Sequence, residues 1–399
     1  MTAPPAATPQ RWHTVATLGT AQTLSWASSY YLPAMLAAPM ARDLGLATPT
    51  VFAAFSMALV LSALVGPAAG RAIDHHGGRP VLMATNIAFA AGLMLLGLAQ
   101  GPLTLCLAWA LIGLAMGSGL YEAAFSALVR LYGPDSRNAI TGITLIAGFA
   151  STVGWPLSAL LEAQFGWRGA CFTWAALHLL LGLPLNASLP RVAPPQAAPP
   201  AGSPAAASTP AAPPLTPRPL LTTVVLAYVF AATWFVSTAM ATHLPQLLQA
   251  AGATLAVAVG AGALIGPAQV AGRLAEFGLL RRVHPLLSAR LAALAHPIGA
   301  AALLAVGAPA AMVFALLHGA GNGIMTIAKG TLPLVLFGHQ GYGARQGWIA
   351  MPARVAQAAA PFLFGLALQR WGTGALWLSG ALGLSSFVAL MLLPRLRPS

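Results

Sequence analysis

Residues 51–70 read VFAAFSMALVLSALVGPAAG, without one charged side chain. As an α-helix rising ~1.5 Å per residue, such a run covers ~30 Å, the thickness of a bilayer's hydrocarbon core. Backbone N–H and C=O groups in lipid must bond within the protein, so a run of this kind is a helix. Similar runs recur from Trp12 to Leu393. The 399 residues are 58% hydrophobic and 6% charged, where soluble domains carry ~25% charged residues. The ~10-residue alternation of membrane β-strands is missing. The runs predict helices over about 13–38, 50–72, 81–99, 103–131, 138–161 and 168–189, then about 219–242, 254–277, 286–307, 309–336, 347–368 and 373–394. The expected fold is therefore all-α and integral to the membrane, with 12 transmembrane helices in two six-helix bundles, 13–189 and 219–394.

Residues 190–218 are rich in Pro and Ala and poor in bulky apolar side chains, which predicts a disordered linker between the bundles. Residues 1–12 and 395–399 are expected to be tails. The N-terminus lacks the charged region and cleavage site of a signal peptide, so the first helix is expected to be retained. The formal charge of +13 comes from arginines set singly between apolar runs, with no basic stripe for nucleic acid. They act as topology signals. With the N-terminus inside, inner segments hold Arg11, Arg71, Arg79, Arg130, Arg137, Arg281, Arg282 and others, and outer segments only Arg42, Arg168 and Arg370. Both termini are then cytoplasmic in a bacterial inner membrane. Cys106 and Cys171 lie within apolar runs and suit packing. No metal cluster, phosphate loop or nucleophile–base pair is visible, so neither an enzyme nor a bound cofactor is expected. Nothing demands more than a monomer.

The halves repeat. Leu131-Tyr132-Gly133, Pro156 and Phe165-Gly166-Trp167 return as Leu336-Phe337-Gly338, Pro361 and Arg370-Trp371-Gly372, and Gly66-Pro67 returns as Gly266-Pro267. Internal repetition of this sort suits two halves that rock about a midplane site. Residues 70–79, Gly-Arg-Ala-Ile-Asp-His-His-Gly-Gly-Arg, resemble the signature of the major facilitator superfamily between helices two and three. Gly70, Asp74, Gly78 and Arg79 match it, and His75 replaces the usual Arg or Lys. The resemblance implies the major facilitator fold and a gating latch on the cytoplasmic side, with Asp74 capping or pairing near Arg79 and a neighbouring helix end. The second-half copy, near Gly272 to Pro285, is degenerate and lacks a clear Asp. Arg137 to Gly142, Gly148 and Phe165-Gly166-Trp167-Arg168 resemble the monocarboxylate and oxalate-formate branch. That likeness implies a basic residue in helix eight holding a substrate carboxylate, and Arg273 matches it.

Ionisable residues in mid-membrane are expensive and mark function. Lys329, the sole lysine, lies nine residues before Gly338, ~13 Å deep. His318, Asn322, Thr326, Lys329 and Pro333 share its helix face. Glu122 lies ~16 Å deep, on one face with Ser118, Ser126 and Arg130 and beside Tyr121. Burial and a cationic neighbour pull a carboxyl's proton affinity in opposite directions. Glu122 is therefore either a proton-coupling acid or one side of a permanent salt bridge with Lys329 or Arg354. Arg354 lies ~13 Å into helix eleven between Pro352 and Pro361, to bind substrate or cap broken-helix carbonyls. Arg273 binds substrate, pairs with Glu276 or snorkels. The excess of deep positive charge favours an organic anion. Trp26, Tyr30 and Trp234 are expected to line the cavity or to pack between helices; His178, His243 and His296 are expected to hydrogen-bond between helices.

The expected function is a proton-coupled secondary transporter of a small organic anion, monocarboxylate-like. Its binding residues would be Lys329, Arg354, Arg273, Asn322, Tyr30, Trp26, Tyr121 and Trp234, with Glu122 carrying the proton and lipid as solvent. An exporter of an amphiphilic compound is the second reading. A membrane scaffold has no need of deep charges, and a channel no need of repeats.

Overall fold

A computed structural model describes residues 8–192, 218–280 and 283–393. Most of the expected linker and the C-terminal tail lie outside the described residues, as do Arg281 and Arg282. The described residues are helical: α1 (Thr8–Ala27), α2 (Leu32–Asp43), α3 (Thr48–His76), α4 (Gly78–Gly97), α5 (Pro102–Gly119), α6 (Tyr121–Tyr132), α7 (Arg137–Ala147), α8 (Ala150–Leu177), α9 (Leu183–Ala187), α10 (Pro219–Ala250), α11 (Leu255–Gly278), α12 (Pro285–Val306), α13 (Ala311–Phe337), α14 (Tyr342–Trp371) and α15 (Ala375–Met391). Among the described residues, eight stretches are long and apolar enough to cross a membrane. Two of them hold several passes: Pro102–Ala187 covers α5 to α9, and Tyr342–Met391 covers α14 and α15. Those eight hold eleven passes, and α1 with α2, the two pieces of the first expected helix, make the twelfth.

Three expected helices are broken. The first splits at 28–31, where the Ser28 hydroxyl donates to the Leu24 carbonyl at 2.8 Å and Pro33 opens α2. The fourth splits at Leu120, which is extended (ψ −166°). Gln22 donates its amide to the freed Gly119 carbonyl at 2.7 Å, so the break leaves that acceptor satisfied. The fifth splits at Gly148 and Phe149, between α7 and α8. Other segments run on past their expected ends: α10 reaches Ala250 and α14 spans Tyr342–Trp371.

The repeat shows in the caps. Gly133 (φ 55°) and Gly338 (φ 79°) end α6 and α13 in backbone that only glycine adopts without strain. Gly166 (φ 68°) turns the chain within α8, and Gly372 (φ 54°) caps α14. One buried core joins the helices of the first half, and two join those of the second. Between the halves the closest approach is α3 against α14. A methyl on Gly70 would meet the Gly343 backbone, and one on Gly347 would meet the Pro67 backbone. We refer to this end of the molecule as the Asp74 end.

Candidate functional site

The break at Leu120 sets the site. It restarts the helix at Tyr121, so Glu122 sits in the first turn of α6, where the helix dipole favours a carboxylate. Across the boundary between the halves, Glu122 Oε1 accepts from Lys329 Nζ of α13, and Oε2 accepts from Arg354 Nη2 of α14 at 2.9 Å. All three side chains are buried: Glu122 is 9% exposed, Lys329 3% and Arg354 4%. Buried charges of this kind persist only when paired and hydrogen-bonded. Arg354 Nη1 also donates to Gln357 Oε1 at 3.2 Å, and Gln346 donates to the Lys329 carbonyl at 3.1 Å. Two cations face one carboxylate, so the cluster keeps one uncancelled positive charge.

Aromatic rings close over it. Lys329 Nζ lies 4.8 Å from the Trp234 ring centroid and the Arg354 guanidinium 5.7 Å from that of Trp26, both within cation–π range. Trp26 of α1 and Trp234 of α10 lie parallel, 6.4 Å apart, and Tyr121 packs 4.9 Å from Trp26. The Tyr30 hydroxyl meets Thr238 Oγ1 at 3.3 Å and accepts from Gln357 Nε2 at 3.5 Å. Five of the expected binding residues besides Glu122, namely Lys329, Arg354, Trp26, Tyr121 and Trp234, thus share one locus, and Tyr30 joins it through Gln357.

Two do not. Asn322 lines a separate small cavity beside His296 and His318, ~10 Å along α13 from Lys329. Arg273 of α11 is 5% exposed and lies against Gly148 of the first half. Among the described residues, its Nε and Nη1 have no hydrogen-bond partner. It is not paired with Glu276, because Glu276 accepts from Arg137 at 3.0 Å.

At the Asp74 end the halves are latched twice. Asp74 accepts the N–H groups of Gly343 and Ala344, each at 2.9 Å, at the start of α14. Arg79 turns away to the Leu189 carbonyl at 3.4 Å, and Gly78 packs on Ala127. Asp74 thus caps the start of α14, whose first N–H groups have no partner within the helix. The second latch is the Glu276–Arg137 ion pair, from α11 to the start of α7. Glu276 follows Gly272 by four, as Asp74 follows Gly70. The degenerate copy has an acid after all. Glutamate in place of aspartate hides it from a motif comparison, and the four-residue spacing is the signal that finds it.

At the other end, Arg168 donates to Asp43 Oδ2 at 2.8 Å and to the Ala99 carbonyl at 2.9 Å, and Trp167 donates to the same carboxylate at 3.2 Å. The Phe-Gly-Trp-Arg turn therefore fastens three loops of the first half and does not reach the site. His178 bonds Ser28 and Asn86, and His243 bonds the Pro361 carbonyl at 2.7 Å. Gln357, three residues after Arg354, and Gln346, next to Arg345, are further site residues without another sequence signal.

The family model of the Major Facilitator Superfamily matches residues 18–301. Multidrug resistance protein fnx1 of Schizosaccharomyces pombe is 31% identical over 113 residues, 28% of this chain and 21% of that one. The matched segments cover two fifths or less of the curated relatives' lengths. Among solved structures, the human organic anion transporter MFSD10 aligns at TM-score 0.65 and 17% identity, over 96% of this chain and 100% of that one. FucP, the E. coli fucose:proton symporter, aligns in its outward conformation at TM-score 0.73 and 14% identity, over 96% and 98%.

Proposed function

This chain belongs to the major facilitator superfamily, and from that premise we propose that it is a secondary transporter of a small, monocarboxylate-like organic anion, moved together with a proton by alternating access. One observation carries the reading: a single carboxylate from the first half is held by two buried cations from the second. A proton on Glu122 cancels its hold on Lys329 and Arg354. The two cations are then left without a counter-charge, and an anion is the ligand that satisfies them. Arg354 offers a planar fork to a carboxylate and Lys329 a point charge. Trp26, Trp234, Tyr121 and Tyr30 supply an apolar wall for the rest of the substrate. Arg273, buried with unpartnered nitrogens, is a further contact when the halves move. The likeness to an organic anion transporter supports this class.

Within this proposal the Asp74 end is cytoplasmic, as the arginine distribution indicates, and both termini lie inside a bacterial inner membrane. The bundles divide at the Pro/Ala-rich linker, 190–218. The double latch at the Asp74 end would then hold the inner gate shut, and each transport cycle would release it. A monomer suffices for all of these steps.

A second reading, export of an amphiphile, draws on the parallel Trp26–Trp234 pair and on the likeness to a multidrug resistance protein. A thermal-unfolding screen of detergent-purified protein separates the two. A ligand that binds only the folded state raises apparent stability. Acetate, lactate and oxalate should stabilise wild type and not Lys329→Ala. Stabilisation by organic cations or neutral amphiphiles, unchanged in Lys329→Ala and lost in Trp26→Ala, would reject the anion site in favour of export.

A further inference from the structure

One pair of buried titratable groups has no part in the cluster around Glu122. His296 of α12 and His318 of α13 meet with their Nδ1 atoms 3.0 Å apart. They are 7% and 5% exposed. Phe314 flanks both, edge-on to His296 at 5.4 Å and parallel to His318 at 6.0 Å. At that separation one Nδ1 must donate a proton to the other, so the two rings take opposite tautomers. His296 Nε2 has no hydrogen-bond partner among the described residues. Beside the pair lies a cavity of about 30 Å³, lined also by Thr233 of α10, Asn322 of α13 and Ser386 of α15. That is room for one or two water molecules, with polar groups to hold them.

We propose that His296 and His318 form a second proton-binding site of this protein, within the second half and separate from the Glu122 cluster. In the neutral pair His296 donates its Nδ1–H to His318 Nδ1, which leaves a lone pair on His296 Nε2. A hydronium ion reaching the cavity gives its proton to that lone pair. One N–H bond forms, one O–H bond breaks, a water molecule remains, and the pair carries one positive charge shared across the Nδ1–H–Nδ1 bond. None of the residues that α10, α12, α13 and α15 contribute to the cavity is charged. The nearest cation along α13 is Lys329, eleven residues and ~16 Å away. Asn322 and Thr326 occupy the turns between, on the same face, so a polar stripe joins the two titratable sites. A charge added at the pair lies on the helix that carries Lys329.

The test is ¹⁵N-histidine labelling of the full chain in nanodiscs, with ring-nitrogen shifts followed as the pH is lowered. Histidine→Gln changes at 296 and 318 assign the signals, and either one that folds suffices; the wild-type titration itself decides the question. The expected result is that both rings move together toward the imidazolium shift as the pair takes up one proton, in wild type and equally in Glu122→Gln. Shifts fixed at neutral-tautomer values down to the pH at which native tryptophan fluorescence is lost would overturn the proposal and leave a hydrogen bond between helices. Movement that disappears in Glu122→Gln would overturn it as well, by assigning the proton to the cluster.

Discussion

Removing the Asp74 carboxylate should open the end of the molecule that it closes. Asp74 accepts two backbone N–H groups from the start of α14, at 2.9 Å each. Hydrogen bonds to a charged group contribute about 1.5–3 kcal/mol each. Asp74 is half-buried, so the lower figure applies, and the two bonds together favour the latched state by about 3 kcal/mol. At about 1.4 kcal/mol per tenfold, Asp74→Ala should move the closed-to-open equilibrium about 100-fold toward open. Asp74→Asn keeps a neutral acceptor worth about 1 kcal/mol and should move it about 30-fold. Electron-electron double resonance between nitroxides at His76→Cys and Gln340→Cys reads the change, since both positions are exposed at this end and belong to opposite halves. A long-distance population should appear in Asp74→Ala and be smaller in Asp74→Asn. Distance distributions that superimpose on wild type, in protein that elutes as a folded monodisperse species, would refute the latch.

Three further outcomes are expected. Glu122→Gln leaves Lys329 and Arg354 buried without a counter-charge, a loss of about 3–5 kcal/mol; thermal unfolding should show it, with more of it recovered by added acetate than wild type gains. Arg354→Gln leaves Glu122 paired with Lys329 and loses a charged hydrogen bond, about 1.5–3 kcal/mol, whereas Arg273→Gln, which removes a guanidinium with two unpartnered nitrogens, should cost under about 1 kcal/mol or stabilise; equal losses would show that Arg273 is paired. Gly70→Ala changes no charge yet sets a methyl against the Gly343 backbone, so it should open the same end as Asp74→Ala in the nitroxide experiment, and a closed distribution would argue against close packing of α3 and α14.

The helices were legible because lipid leaves so few options: an apolar run of bilayer length must be helical, and glycines with positive φ at 133 and 338 fall where the repeat places them. The deep charges were legible one at a time, each on a polar helix face. Their meeting was not. Glu122 lies 207 residues from Lys329 and 232 from Arg354, and only the packing of one half on the other joins them. The break at Leu120 was hidden inside an unbroken apolar run, since its stabilising contact comes from Gln22 on another helix. Asn322 shared the face of Lys329 but not its depth, and a helical wheel does not separate the two.

The odd charge count of the cluster has an electrical consequence. When a site is exposed first to one side of a membrane and then to the other, its net charge crosses the potential, at about 2.3 kcal/mol per charge per 100 mV. With Glu122 ionised and no anion, the cluster carries one positive charge. An anion alone brings it to zero, and an anion with a proton restores it to one. In the proposed proton-coupled cycle, loaded and empty carriers would therefore move the same charge in opposite directions, so net transport would be electrically silent while each half of the cycle is voltage-dependent. Under the same proposal, swapping one anion for another without protons would move a neutral carrier both ways and escape the field altogether.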